Sequence, residues 1–348
     1  MQIKCVRIML GDQYMLEFAD TYFQNEVRCN FHITSMMKRF WASEMESLAW
    51  IDSVCKKYDI KYVMFYGSLL GTVRHKGFIP WDDDIDIAML RSDFNRFVEV
   101  VPSELPPYLT TQSLLPGAIP PKEMTFGVCN GNRLDTSPEF LERFHGCPYA
   151  TGIDVFVLDK VPTDPDDFAY QDRLIRLLDR MLMLQWDVND KKISDDDLRQ
   201  YQKIRMTLEQ ELDFSFTDAE PMTNQILRML DMACGLCDDC DSEIVENREQ
   251  VIYYGERKFK VEYFNDRIWV PYENVMSVPI PRKYDEILRS NFGDYLTPVK
   301  YGSQHEYPAY KYQREALYKA YLDRNWEIPE EFLEYDEDGK MMLDPSSL

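Results

Sequence analysis

The stretch WDDDIDIAM, residues 81–89, constrains the chain more than any other. Four of the five residues from Asp82 to Asp86 are acidic, and Ile85 and Ile87 alternate with Asp84 and Asp86. A two-residue period belongs to a β-strand. With the aliphatic face on a core, Asp84 and Asp86 share the opposite face, their Cα atoms ~6–7 Å apart. Carboxylates so placed in a partly dry site repel each other, and a bound cation relieves the repulsion. Hard oxygen ligands of this type suit Mg²⁺ or Mn²⁺, with substrate phosphate completing the shell. The plainer reading of a charge run is a solvated turn, which the alternation argues against. A calcium loop counted from Asp82 fails, because its glycine position falls on Ile87 and its closing glutamate on Asp93.

The rest of the composition narrows the partners. The chain has 348 residues with 61 Asp and Glu against 39 Lys and Arg, a formal net charge of -22. Such acidity opposes nucleic-acid wrapping and attraction to an anionic bilayer, although local charge at a cleft can still hold a phosphorylated substrate. With 45% hydrophobic residues the chain is not disordered. The opening residues lack the apolar core and cleavage site of a secretory leader, and no run of ~20 apolar residues predicts a membrane span. Eight scattered cysteines read as reduced thiols. The expected location is cytoplasmic, with docking at the inner face of a membrane left open.

Periodicity predicts an α/β (α+β) chain: a mixed sheet core with a helical insertion and C-terminal helices. Helical steps run over 33–58, a short strand over 61–66, a helix over 69–74, a strand over 84–89 and a helix from 92 to 101, stopped by Pro102. Residues 102–150 read as loops with a strand at 125–130, and GIDVFVL (152–158) reads as a strand. Residues 164–240 carry three helices with acidic starts, which the helix dipole favours. Residues 250–270 look strand-like, and a helix near 283–291 follows. The expected organisation is an N-terminal extension (1–44), a catalytic core (45–160), a helical insertion (161–248), a C-terminal part packing on the core (249–326) and a loose acidic tail (327–348).

Gly67-Ser68 lies between the first strand and its helix, where backbone N–H groups at a helix N-terminus stabilise a phosphate. Alone it would be a tight turn. Followed by Asp84-x-Asp86, it resembles the nucleotidyltransferase-fold signature, in which a third acid comes from a later strand. Asp154, between Ile153 and Val155, is the natural third, preferred to Asp159 at the strand end. The longer stretch GSLLGTVRHKGFIPWDDDIDIAM resembles the hallmark motif of the LicD family, GIDVFVLD its second block and VPIPRKYDEILRSNFGDYLTP its C-terminal one. The second block departs from the family in carrying FVLD rather than FPLD.

The resemblance implies transfer of a phospho-alcohol, such as phosphocholine or ribitol phosphate, from a CDP-linked donor to a glycan hydroxyl with release of CMP. Such chemistry modifies teichoic acid, lipopolysaccharide or other surface glycans, and the acceptor can be lipid-linked. It implies metal ligation by Asp84 and Asp86, with Asp154 as third ligand or base, and donor phosphate held by Gly67 and Ser68. Arg74, His75 and Lys76 would supply positive charge, Arg74 foremost because its fork matches phosphate. An internal ion pair from Arg74 to Asp82 or Asp83 is the alternative. Trp81 is expected beneath the acidic strand or against a choline head. The same acids also suit a nucleotidyltransferase acting on an NTP, or a non-catalytic nucleotide- or glycan-binding protein. Cys234, Cys237 and Cys240 read as a buried helix stripe, since a closed zinc site needs a fourth ligand. His305 and the tyrosines around it read as packing or surface groups, with closure over the donor as the sharper alternative.

Overall fold

The computed structural model describes residues 7–10, 13–300 and 307–348. His305 therefore lies outside the described residues. In chain order the elements that place the site are α1 (Ser35–Lys57), β1 (Val63–Met64), α2 (Tyr66–His75), β2 (Ile85–Leu90), α3 (Arg91–Glu104), β3 (Thr110–Gln112), β4 (Phe126–Cys129) and β5 (Gly152–Lys160). Then come α4 (Pro165–Asn189), α5 (Asp195–Glu211), α6 (Met222–Cys234), β6 (Ile244–Glu246), β7 (Phe259–Lys260), β8 (Arg267–Tyr272), β9 (Met276–Pro281), α7 (Tyr284–Phe292) and α8 (Lys311–Leu322).

The fold is α+β, built on a curled seven-stranded mixed sheet. β2 and β5 run parallel at its centre, with Ile85 opposite Ile153, Asp86 opposite Asp154 and Ile87 opposite Val155. β1 pairs antiparallel with β2. β4 and β6 pair antiparallel with opposite ends of β5. The alternation seen in the sequence works as a sorting rule: Ile85, Ile87 and Ile153 are fully buried, while Asp86 is half-buried and Asp154 exposed. α1 lies in this core, capped by the Thr34 hydroxyl, which accepts from the Met37 N–H. A second apolar core forms within α4, α5 and α6, around Leu178, Met181, Leu208 and Ile226.

The stretch between α2 and β2 is fixed from below. Trp41 of α1 stacks on Phe78 with ring centroids 4.5 Å apart, and its indole N–H donates to the Asp82 carbonyl at 3.1 Å. Glu273, in the turn joining β8 and β9, takes both forks of Arg28 at 2.7 and 2.8 Å and the Phe78 N–H at 3.1 Å. A side chain on Gly77 would collide with that carboxylate. Asp83, 1% exposed, accepts the Ala309 N–H at 2.6 Å and so ties the stretch to the segment before α8.

Several local expectations need correction. Residues 250–270 are not one strand: a helical turn at Val251–Tyr254, β7, a turn at Val261–Asn265 and β8 follow one another. Gly255, at φ +73°, ends the first turn. α3 runs two residues beyond Pro102, because proline there lacks only an N–H while its φ remains helical. The acidic tail is not loose. Phe332 is buried, and Glu334 accepts from Thr34 and Tyr310 at 2.6 Å each and from Arg314 at 2.7 Å. The cysteine stripe breaks where α6 ends at Cys234: Cys237 and Cys240 form a disulfide, leaving Cys234 a buried thiol. No helix among the described residues is long and apolar enough to cross a membrane.

The turn ENREQ (246–250) buries charge between the two cores. Arg248 is sealed in, paired with Glu246 at 2.8 Å and lying over Phe168 at 4.9 Å. Burial, then the charge of Glu123, pushes the Glu249 carboxyl up to about 7. Its folded pKa exceeds its unfolded one, so its contribution to stability is complete below about pH 4.5 and is lost as pH rises towards 7, a swing on the order of 3 kcal/mol. Glu249→Gln is expected to raise the urea midpoint at pH 8 and to lose that advantage below pH 5, measured by denaturation across pH. Gly77→Ala is expected to lower stability by ~1–3 kcal/mol at all pH values, as overpacking does, read from the same curves.

Candidate active site

The parallel register of β2 and β5 sets Asp86 and Asp154 side by side on the sheet face opposite the isoleucines, about 4.8 Å apart across the strands. Asp84 stands one strand period before Asp86. All three, with Asp82, line a cavity of about 580 Å³ above the sheet. Burial, then the charges of Asp84, Asp154 and Asp82, push the Asp86 carboxyl well above the usual carboxylate range. Glu44 of α1, 2% exposed, is raised by burial and then by the charges of Asp84, Asp83, Asp82 and Asp86. Like charges are thus held together by the scaffold. The set is all-oxygen and fits a hard divalent cation in chemistry. Among the described residues, no three acid, imidazole or thiol groups already stand as a preformed metal cage.

The first turn of α2 carries no side-chain cap and opens on this cavity through Tyr66 and Gly67. Tyr66 adopts φ +37°, which swings the chain from β1 into the helix. A Cβ on Gly67 would stand 2.9 Å from an Asp82 carboxylate oxygen, so any larger residue there would push that carboxylate aside. The Ser68 hydroxyl does not reach outward: it accepts the Asp86 N–H at 2.8 Å and donates to the Asp84 carbonyl at 3.4 Å. Ser68 therefore locks α2 to the acidic strand.

Arg74 lines the cavity, donating to the Tyr295 carbonyl at 2.9 Å and to the His75 ring at 2.9 Å. Neither contact is the internal ion pair to Asp82 or Asp83 that was the alternative. Burial, then the charges of Arg74 and Arg28, push His75 down to about 4. The ring is neutral at pH 7, which corrects the expectation that it supplies positive charge. Lys76 is exposed at the left-handed end of α2, where its carbonyl accepts the Glu273 N–H. Trp81 stands in the cavity wall, and Trp41 takes the place beneath the acids. Asp159 is 1% exposed and paired with Arg91 at 2.6 Å, a structural role.

Part of the cavity lining was not foreseen. Gln250, Tyr254, Arg257, Asn291 and Phe292 line the same cavity, and Phe156 stands one strand period after Asp154 on β5. Arg257 adds the second guanidinium and donates to Asn291 at 3.4 Å. The available signal was an arginine two residues after Gly255, a residue type that punctuates loops.

Comparison with known proteins finds similarity in the stretch that carries the acidic strand. Residues 59–118, which carry α2 and most of β2's surroundings, match the family described as LicD/FKTN/FKRP, nucleotidyltransferase domain. The lipopolysaccharide cholinephosphotransferase LicD of Haemophilus influenzae is 51% identical over 53 residues, 15% of this chain and 20% of the relative. Uncharacterised proteins of Rickettsia typhi and Rickettsia prowazekii are 36% identical over 74 residues and 46% over 46. The matched stretch spans about a fifth of the length of these relatives, from 17% to 24%. The stretch that carries α2 and the acidic strand is thus similar to the nucleotidyltransferase domain of the LicD family.

Proposed function

We propose that the protein transfers a phospho-alcohol, phosphocholine in the first instance, from a CDP-linked donor to a glycan hydroxyl, releasing CMP. The observation that carries this reading is the register of Asp86 with Asp154 in one cavity with Asp84 and two arginines. The choline and lipopolysaccharide assignments rest on the Haemophilus influenzae relative; the CDP donor rests on the family resemblance.

Asp84, Asp86 and Asp154 would hold Mg²⁺ or Mn²⁺, which when bound neutralises the pyrophosphate and polarises the reacting phosphorus. The remaining work belongs to the chain. The uncapped N–H groups at Gly67 receive a donor phosphate along the α2 axis. Arg74 and Arg257 offset its charge from the cavity lining. Ser68 keeps Asp86 in register with the helix end. Asp154, the most exposed of the three acids, takes the acceptor's proton as its oxygen attacks phosphorus and the bond to CMP breaks.

With CDP-choline, Mg²⁺ and a lipopolysaccharide acceptor, Asp86→Asn is expected to lower CMP release by ~10²-fold or more, and a chelator to stop it. Release that ignores both refutes the assignment, and pyrophosphate formed from CTP would instead indicate nucleotidyl transfer. Ser68→Ala is expected to lower kcat roughly tenfold with the donor KM little changed, because it disturbs alignment rather than binding.

A further inference from the structure

Beside the acids, three aromatic rings from separate parts of the chain form a corner. Phe31 meets Trp81 edge-on at 6.1 Å and Tyr307 at 5.4 Å. Into this corner reaches the Lys300 ammonium, 5.2 Å from the Phe31 ring centre and 5.7 Å from that of Trp81. It also donates to the Asn30 carbonyl at 3.1 Å. Ring faces attract cations within about 6 Å, so the corner is a cation site with a tethered occupant. Negative charge surrounds it: Asp82 and Asp83 follow Trp81 directly, and both raise the Tyr307 hydroxyl further than burial alone does. Trp81 and Val299, next to Lys300, line the same cavity as Asp84 and Asp86, so the corner adjoins that cavity.

We propose that the corner of Phe31, Trp81 and Tyr307 receives the quaternary ammonium head of the transferred alcohol, and that the Lys300 ammonium is the internal competitor it displaces. The assignment rests on the phospho-alcohol reading above. A primary ammonium is strongly hydrated and leaves readily for water. A quaternary ammonium donates no hydrogen bond, gains only from ring faces, and loses less hydration on entering. A phosphorylated polyol has no cationic head with which to displace Lys300, so the corner selects among alcohols.

The test is calorimetric titration of the full chain with tetramethylammonium chloride at constant ionic strength. Lys300→Gln is expected to tighten binding about fivefold, and Trp81→Leu in that background to weaken it about tenfold. Phe31→Leu, which leaves the acidic motif untouched, repeats the loss if Trp81→Leu fails to fold. Equal or weaker binding by Lys300→Gln, or unchanged binding after loss of either ring, overturns the proposal. The readout needs no turnover. Binding as expected while CDP-choline yields no CMP supports the cation site and refutes the reaction. CMP release with a CDP-choline KM unmoved by Lys300→Gln and Phe31→Leu leaves the reaction standing and overturns the site.

Discussion

Mutual repulsion among carboxylates is the constraint around which this molecule is built. Asp82, Asp84, Asp86 and Asp154 share one cavity, and Glu44, which feels the first three, has no partner for one of its oxygens. Such a set destabilises a fold unless rigid neighbours hold it. Here the restraint comes from main-chain and aromatic groups: the Trp41 indole on the Asp82 carbonyl, the Ala309 N–H on Asp83, and the Ser68 hydroxyl between Asp84 and Asp86. These contacts hold the acidic stretch in place, and a cavity lined by Asp84, Asp86 and Asp154 suits a site that receives a cation and an anionic donor.

The parts legible in the sequence are those where one local rule decides. Alternation gave β2 and β5, since an isoleucine face beside an aspartate face has one sensible orientation. Helical spacing gave α1 within two residues of either end. The Gly67-Ser68 step was expected between strand and helix but lies inside the first turn of α2, which starts at Tyr66, and the direction of the Ser68 hydroxyl depends on β2, a partner distant in the chain. The lowered pKa of His75 was hidden for the same reason, because it comes first from burial, which only the fold sets, and then from Arg74 and from Arg28, more than forty residues earlier.

The rest of the cavity lining and the tail were illegible for a different reason. Arg257 sits in the loop before β7, which carries no period, and Asn291 sits near the end of α7, a helix whose spacing was legible but whose distant neighbours were not. Residues 327–348 look like a solvated acidic run, yet Glu334 is sealed by Thr34, Tyr310 and Arg314. Burying that carboxylate is tolerable only because its partners arrive from two other regions. The Cys237–Cys240 bond likewise follows from where α6 stops, a boundary that a three-residue spacing cannot reveal.

The in-register pairing of β2 with β5 has one more consequence. Side chains alternate across a sheet, so sliding either strand by a single residue would turn Ile85, Ile87 and their neighbours outward and drive the aspartates into oil-like packing. No intermediate slip keeps the interior while sacrificing the chemistry. The hydrophobic seam and the ionic pocket are two sides of one ratchet, and evolution can retune the pocket's rim far more freely than it can shift that tooth.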